Sequence, residues 1–193
     1  MKEFDFLQVK DQPDMQLEFK RIAEELFNNY LILKQPDKEY YFTDIEFYFL
    51  SPLHQDFFTH AGEEQTEIGN FWHHKSGGID LTFGDKEKEF WGGILIRGII
   101  AKNNCIPYNG CTDVTKELLK GIKDKNGIIP ELTLKKIGVK PDREITIKFE
   151  KQRQGLKPEM FNIKRIKFKN ATVPTDIKTM IEFFQHKHYR AYF

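Results

Sequence analysis

Thr43-Asp44-Ile45-Glu46-Phe47-Tyr48-Phe49 decides how the rest of the chain is read. Side chains alternate along a strand, so Ile45, Phe47 and Phe49 share one face and Glu46 and Tyr48 the other. Two readings follow. The strand is amphipathic, with Glu46 and Tyr48 facing water. Or the carboxylate and the phenol lie side by side within a largely aromatic stretch, as a general base beside a stacking platform.

Upstream, Met15, Phe19, Ile22, Leu26 and Tyr30 recur at helical spacing, which predicts an amphipathic helix over 14–29 with Asp14 as its cap. Strands are expected over 30–34 and 39–50, around the turn at Gln35-Pro36-Asp37. Downstream, residues 51–69 are irregular and polar. A hairpin follows, Asn70 to Lys75 and Ile79 to Phe83 joined by Ser76-Gly77-Gly78. Residues 92–101 form an apolar strand interrupted by Arg97. After Asn109-Gly110 a short helix carries Val114, Leu118, Leu119 and Ile122 on one face, with Thr112 or Asp113 as cap. Strands are expected over 144–150 and, with a slip at Lys164-Arg165, over 161–169. A last helix starts from a Thr175 cap. Strands predominate without regular strand–helix alternation, so the expected class is α+β, a single domain over 1–193.

Eighteen phenylalanines among 193 residues imply an aromatic core. The formal net charge of +1 conceals an asymmetry. Residues 1–119 hold 12 Lys+Arg against 21 Asp+Glu, whereas 120–193 hold 18 against 8. Lys164, Arg165, Lys167 and Lys169 crowd together; such a cluster follows a phosphate backbone or guards a strand edge against aggregation. No apolar run reaches membrane-span length and the N-terminus carries no signal-peptide pattern. Cys105 and Cys111 make neither a disulfide framework nor a metal site by themselves, so a reducing, cytoplasmic setting is expected.

Arg97 sits among Ile94, Leu95, Ile96, Ile99 and Ile100. A buried guanidinium needs a carboxylate, a phosphate or a cavity, and Glu46 is the obvious partner. His54, His60, His73 and His74 fall close together near Asp56 and Asp80. Their spacings match no common zinc pattern, and adjacent His73 and His74 on a strand face opposite ways. A histidine stacked on a planar ligand, or hydrogen-bonded in the core, fits better. Phosphate-binding loops, dinucleotide glycine fingerprints and nucleophile elbows are missing from the sequence.

Taken in order, these pieces resemble the alkyladenine (3-methyladenine/methylpurine) DNA glycosylase family. Arg21 to Leu33 looks like its leading "LA..LLG..LV" segment, and Ile45-Glu46-Phe47-Tyr48 like its "TEAY" strand. Asp56 to His60 looks like "D.A.H", Gly93 to Arg97 like "VLIRA", Tyr108-Asn109-Gly110 like "NGP", and His188 to Phe193 like "PWRFY". The resemblance implies a curved, mainly antiparallel sheet with flanking helices and no metal or cofactor. It also implies hydrolysis of the N-glycosidic bond of a flipped damaged purine. Glu46 would then activate water with Arg97 beside it, while Tyr48, His60, His73 or His74 and Asp80 hold the base. Lys164, Arg165, Lys167 and Lys169 would meet the backbone of DNA containing a damaged base. Two departures stand out. Ser76 occupies the place of a DNA-wedging tyrosine, and Asp80 lies nearest the place of an asparagine. The alternatives are a non-catalytic module of the same fold holding a nucleobase or other small planar ligand, and a metal-dependent hydrolase using His60, His73 or His74 with Asp80.

Overall fold

Both faces of the strand that carries Glu46 are covered, and that arrangement organises the molecule. The computed structural model describes residues 4–74, 77–138, 146–160 and 176–193. Among them the chain runs α1 (Gln16–Asn29), β1 (Tyr30–Lys34), β2 (Lys38–Leu50), β3 (Ile68–His73), β4 (Ile79–Phe83), β5 (Trp91–Ala101) and β6 (Pro107–Asn109). It continues through α2 (Cys111–Leu118), β7 (Gly127–Ile128), β8 (Leu132–Lys136), β9 (Lys148–Lys151), α3 (Ile177–His186) and β10 (Arg190–Tyr192). The class is α+β, a curled antiparallel sheet with three α-helices among the described residues.

The strand order is β7-β3-β4-β5-β2-β1-β8, with β10 pairing β2 and β9, and β6 pairing β5. One edge of β2 runs along β5. Its other edge pairs first with β1 and then, from Asp44 to Glu46, with the C-terminal β10. The register sets side chains in rows. Phe71, Leu81, Ile94 and Phe47 are successive cross-strand partners on β3, β4, β5 and β2. All four are buried, and α1 packs on this apolar face through Phe19, whose ring stacks on Phe47 at 4.6 Å. The neighbouring row, Trp72, Asp80, Leu95, Glu46 and Arg190, crosses five strands and faces the other way.

Several boundaries differ from expectation for local reasons. The first helix begins at Gln16, whose amide donates to the Asp14 carboxylate at 2.9 Å. Helix α2 is capped by Gly110 with no side-chain cap bond, not by Thr112 or Asp113. Helix α3 is capped by Asp176 rather than Thr175; the Thr179 amide donates to the Asp176 carboxylate at 3.1 Å. Of the expected 144–150 strand, residues 146–150 are described, and the strand there, β9, begins only at Lys148 and runs to Lys151. The expected 161–169 strand, with Lys164, Arg165, Lys167 and Lys169, lies outside the described residues, as does Ser76. Cys105 and Cys111 are both free thiols. No described helix is long and apolar enough to cross a membrane.

Gly84, just after β4, is needed for close approach. A Cβ there would lie 1.9 Å from the Gln65 carbonyl oxygen and 2.4 Å from that of Phe90. Backbone cannot move aside as a flexible side chain can, so Gly84→Ala is expected to cost about 2–3 kcal/mol. Urea denaturation measures this, and an unchanged midpoint would contradict the packing described.

Candidate functional site

Glu46 has no solvent exposure, and four groups surround its carboxylate. The Gln154 amide donates to Oε1 at 2.9 Å and the Tyr48 hydroxyl to Oε2 at 3.1 Å. Arg97 Nε lies 3.3 Å and Arg190 Nε 3.8 Å from Oε1. The register explains the two arginines. Arg190 is the direct β10 partner of Glu46, and Arg97 stands two residues beyond Leu95, on the same face of β5. Arg97 also donates from Nη2 to the Gln154 side-chain oxygen at 2.8 Å, and Arg190 makes a bidentate pair with Asp44. Burial nevertheless dominates and pushes the Glu46 carboxyl above the ordinary carboxylate value, with Arg97, the Gln154 amide, Arg190 and Tyr48 pulling against it. Tyr48 is held well above the usual phenol range by burial and by the Glu46 charge beside it.

Above this carboxylate is a cleft of about 230 Å³. Tyr48, His60, His74, Asp80 and Arg97 all line it, joined by Phe58, Leu95, Cys111 and the 154–156 segment. Five of the residues singled out from sequence therefore converge, with Glu46 directly behind two of them. The His60 and His74 rings lie 4.5 Å apart, and Trp72 meets both, at 5.9 and 5.4 Å. His73 does not belong to this group. It sits on the opposite side of β3, where its Nδ1 donates to the Lys125 carbonyl, as strand alternation requires once His74 faces the cleft. His54 is a core residue, wedged among Phe19, Phe49, Phe184 and Tyr189 with Nδ1 3.0 Å from the Pro13 carbonyl. Burial lowers its pKa and keeps the ring neutral.

Among the described residues no group of three His, Cys, Asp or Glu side chains could hold a metal ion. In the cleft His74 Nε2 lies 3.5 Å from Asp80 Oδ1. The donor set for a His60/His74/Asp80 hydrolase is therefore not assembled.

Arg153 is the site residue that sequence reading missed. It follows β9 in the polar run Lys151-Gln152-Arg153-Gln154, where no periodicity marks it for burial. Yet it is buried, paired with Asp56, and donates to the Phe47 carbonyl at 3.2 Å and the Phe184 carbonyl at 2.8 Å. Its guanidinium also lies 4.7 Å from the centre of the Tyr48 ring. Arg153 thus anchors the segment whose next residue supplies the amide to Glu46. Its only sequence clue is Asp56, an acid directly before Phe57 and Phe58 that needs a cation if it is buried with them.

Comparison with known protein families, with characterised proteins and with solved structures finds no match.

Two measurements check this electrostatic description. Removing one member of a buried pair strands the other, so Arg153→Met is expected to lower stability by about 3–5 kcal/mol. Adding Asp56→Asn should restore part of the loss. A single-variant loss below about 1 kcal/mol, the size of an exposed pair, would contradict it. The second concerns pH. With its pKa raised on folding, Glu46 contributes stability that is fully present below its ordinary value of 4.5. That contribution is lost as pH rises through the folded value. Glu46→Gln lacks this loss, so its melting temperature relative to native should climb as pH rises from 4.5 upward. A difference that stays flat with pH would show that Glu46 is not strained by burial.

Proposed function

We propose that the cleft binds a planar nucleobase and that the chain hydrolyses the N-glycosidic bond joining that base to its sugar. One observation carries the reading: Tyr48, His60, His74, Asp80 and Arg97, drawn from separate segments, line one cleft with the Glu46 carboxylate behind it. The volume lies below the roughly 300–1,000 Å³ typical of drug-sized ligands, and suits a single base. In this reading Glu46 takes a proton from water, the water oxygen attacks the anomeric carbon, and the C–N bond breaks with its electron pair leaving on the base. Oε1 is occupied, but Oε2 accepts only the Tyr48 hydroxyl among the described hydrogen bonds, and a carboxylate oxygen accepts two. The raised Glu46 pKa brings the base closer to neutrality, where proton abstraction is most effective.

Release of base from alkylated or deaminated duplexes tests the proposal. The native chain is expected to release base, and Glu46→Gln to do so about 100-fold more slowly, the usual contribution of a general base. No release from any lesion, or equal release by both proteins, removes the enzymatic claim.

A second reading has its own support. Glu46 is fully buried and already held by two arginines and an amide, which suits a structural carboxylate beneath a binding site. The chain would then hold a base or similar planar ligand without cleaving it. Stoichiometric base binding without release in the same assay selects this reading.

A further inference from the structure

Asp80 is the polar group in the cleft that the rest of the structure leaves half used. It is 2% exposed, on β4 between Trp72 and Leu95 in the cross-strand row, and it lines the cleft. Its Oδ2 accepts from the Gln65 side-chain amide at 3.0 Å. Its Oδ1 accepts no hydrogen bond among the described residues, and His74 Nε2 stands 3.5 Å away. The orientation is built in. Gly93 lies beside the pair, and a Cβ there would come within 2.4 Å of the Gln65 nitrogen and 2.5 Å of Asp80 Oδ2. The glycine leaves room for this amide–carboxylate contact and no more.

A buried carboxylate oxygen without a donor is costly, and a ligand that brings the donor recovers that cost on binding. As a carboxylate Asp80 only accepts, with two oxygens and lone pairs left on both after Gln65 is counted. It therefore matches an edge with two adjacent donors in one plane and repels a ring nitrogen lone pair. We propose that Asp80 is the specificity-determining residue of the cleft, selecting a heterocycle whose ring N–H lies beside an exocyclic amino group, the guanine-type edge, over an adenine-type edge. Asp80 meets this donor edge while the rings of Tyr48, His60 and His74 border the space the heterocycle occupies. This selection rests on the reading of the cleft as a base site.

Calorimetric titration of the full chain with 9-methylguanine, 9-methyladenine and 1,9-dimethylguanine tests it, because none of the three has a sugar to be cleaved. The native protein is expected to bind 9-methylguanine about tenfold or more tighter than the other two, as loss of a hydrogen bond to a buried charge implies. Asp80→Asn should bring 9-methylguanine down to the affinity of 9-methyladenine. If that variant fails to fold, the 1,9-dimethylguanine comparison on the native protein decides, since it replaces the ring N–H with a methyl group and keeps the exocyclic amino group. Equal binding of all three bases, or tighter binding of adenine, overturns the role of Asp80 and leaves the base site standing. Binding of none of the three overturns the base site itself, and the selection with it.

Discussion

The buried carboxylate of Glu46 is the constraint on which much of the structure depends. It lies in a row that crosses five strands, and two of the five members of that row are acids. An ionised carboxylate taken out of water without partners costs several kcal/mol even after relaxation. Each partner of Glu46 comes from somewhere else in the chain: Arg97 from β5, Arg190 from the C-terminal β10, and an amide from the segment after β9. Satisfying one side chain thus ties the C-terminal strand and the 152–156 segment to the middle of the sheet. The bidentate pair of Arg190 with Asp44 completes the attachment of β10 beside β2.

A second ionic node, Arg153 with Asp56, sits behind the first and links it to the apolar side of the molecule. The guanidinium reaches carbonyls on β2 and α3 and lies against the Tyr48 ring. Stability and site geometry therefore share the same atoms. The group that holds Tyr48 against the cleft also neutralises a fully buried acid, and the backbone that follows it covers Glu46. Low polarity around these groups strengthens every charge interaction among them, and it is also what raises the Glu46 pKa. Asp80 is the exception within the row. It is positioned by Gln65 and by the space that Gly93 leaves, yet one oxygen remains without a donor among the described residues.

Much of this was legible in the residues. Alternation in β2, the apolar run of β5 and the helical spacing in α1 placed the main elements, and an arginine in an isoleucine-rich strand announced its need for Glu46. Strand alternation also required that only one of His73 and His74 join a given site, though not which one. Other features carried no local signal. β6, β7 and β10 are only two or three residues long, so pairing rather than pattern defines them. Arg153 lies in a polar run, and its burial follows from Asp56, ninety-seven positions away.

The sequence by itself determined the alternating faces, the aromatic core and the presence of charged residues that a buried strand must compensate. Those properties depend on neighbours two to four positions apart. The tertiary structure alone decided that β2 would be covered on both sides, that Arg190 would join Glu46 and Arg153 would meet Asp56, and that Asp80 would line the cleft with one oxygen lacking a donor among the described residues. Such choices depend on register between distant strands, and a one-residue slip would have turned every one of these side chains to the opposite face.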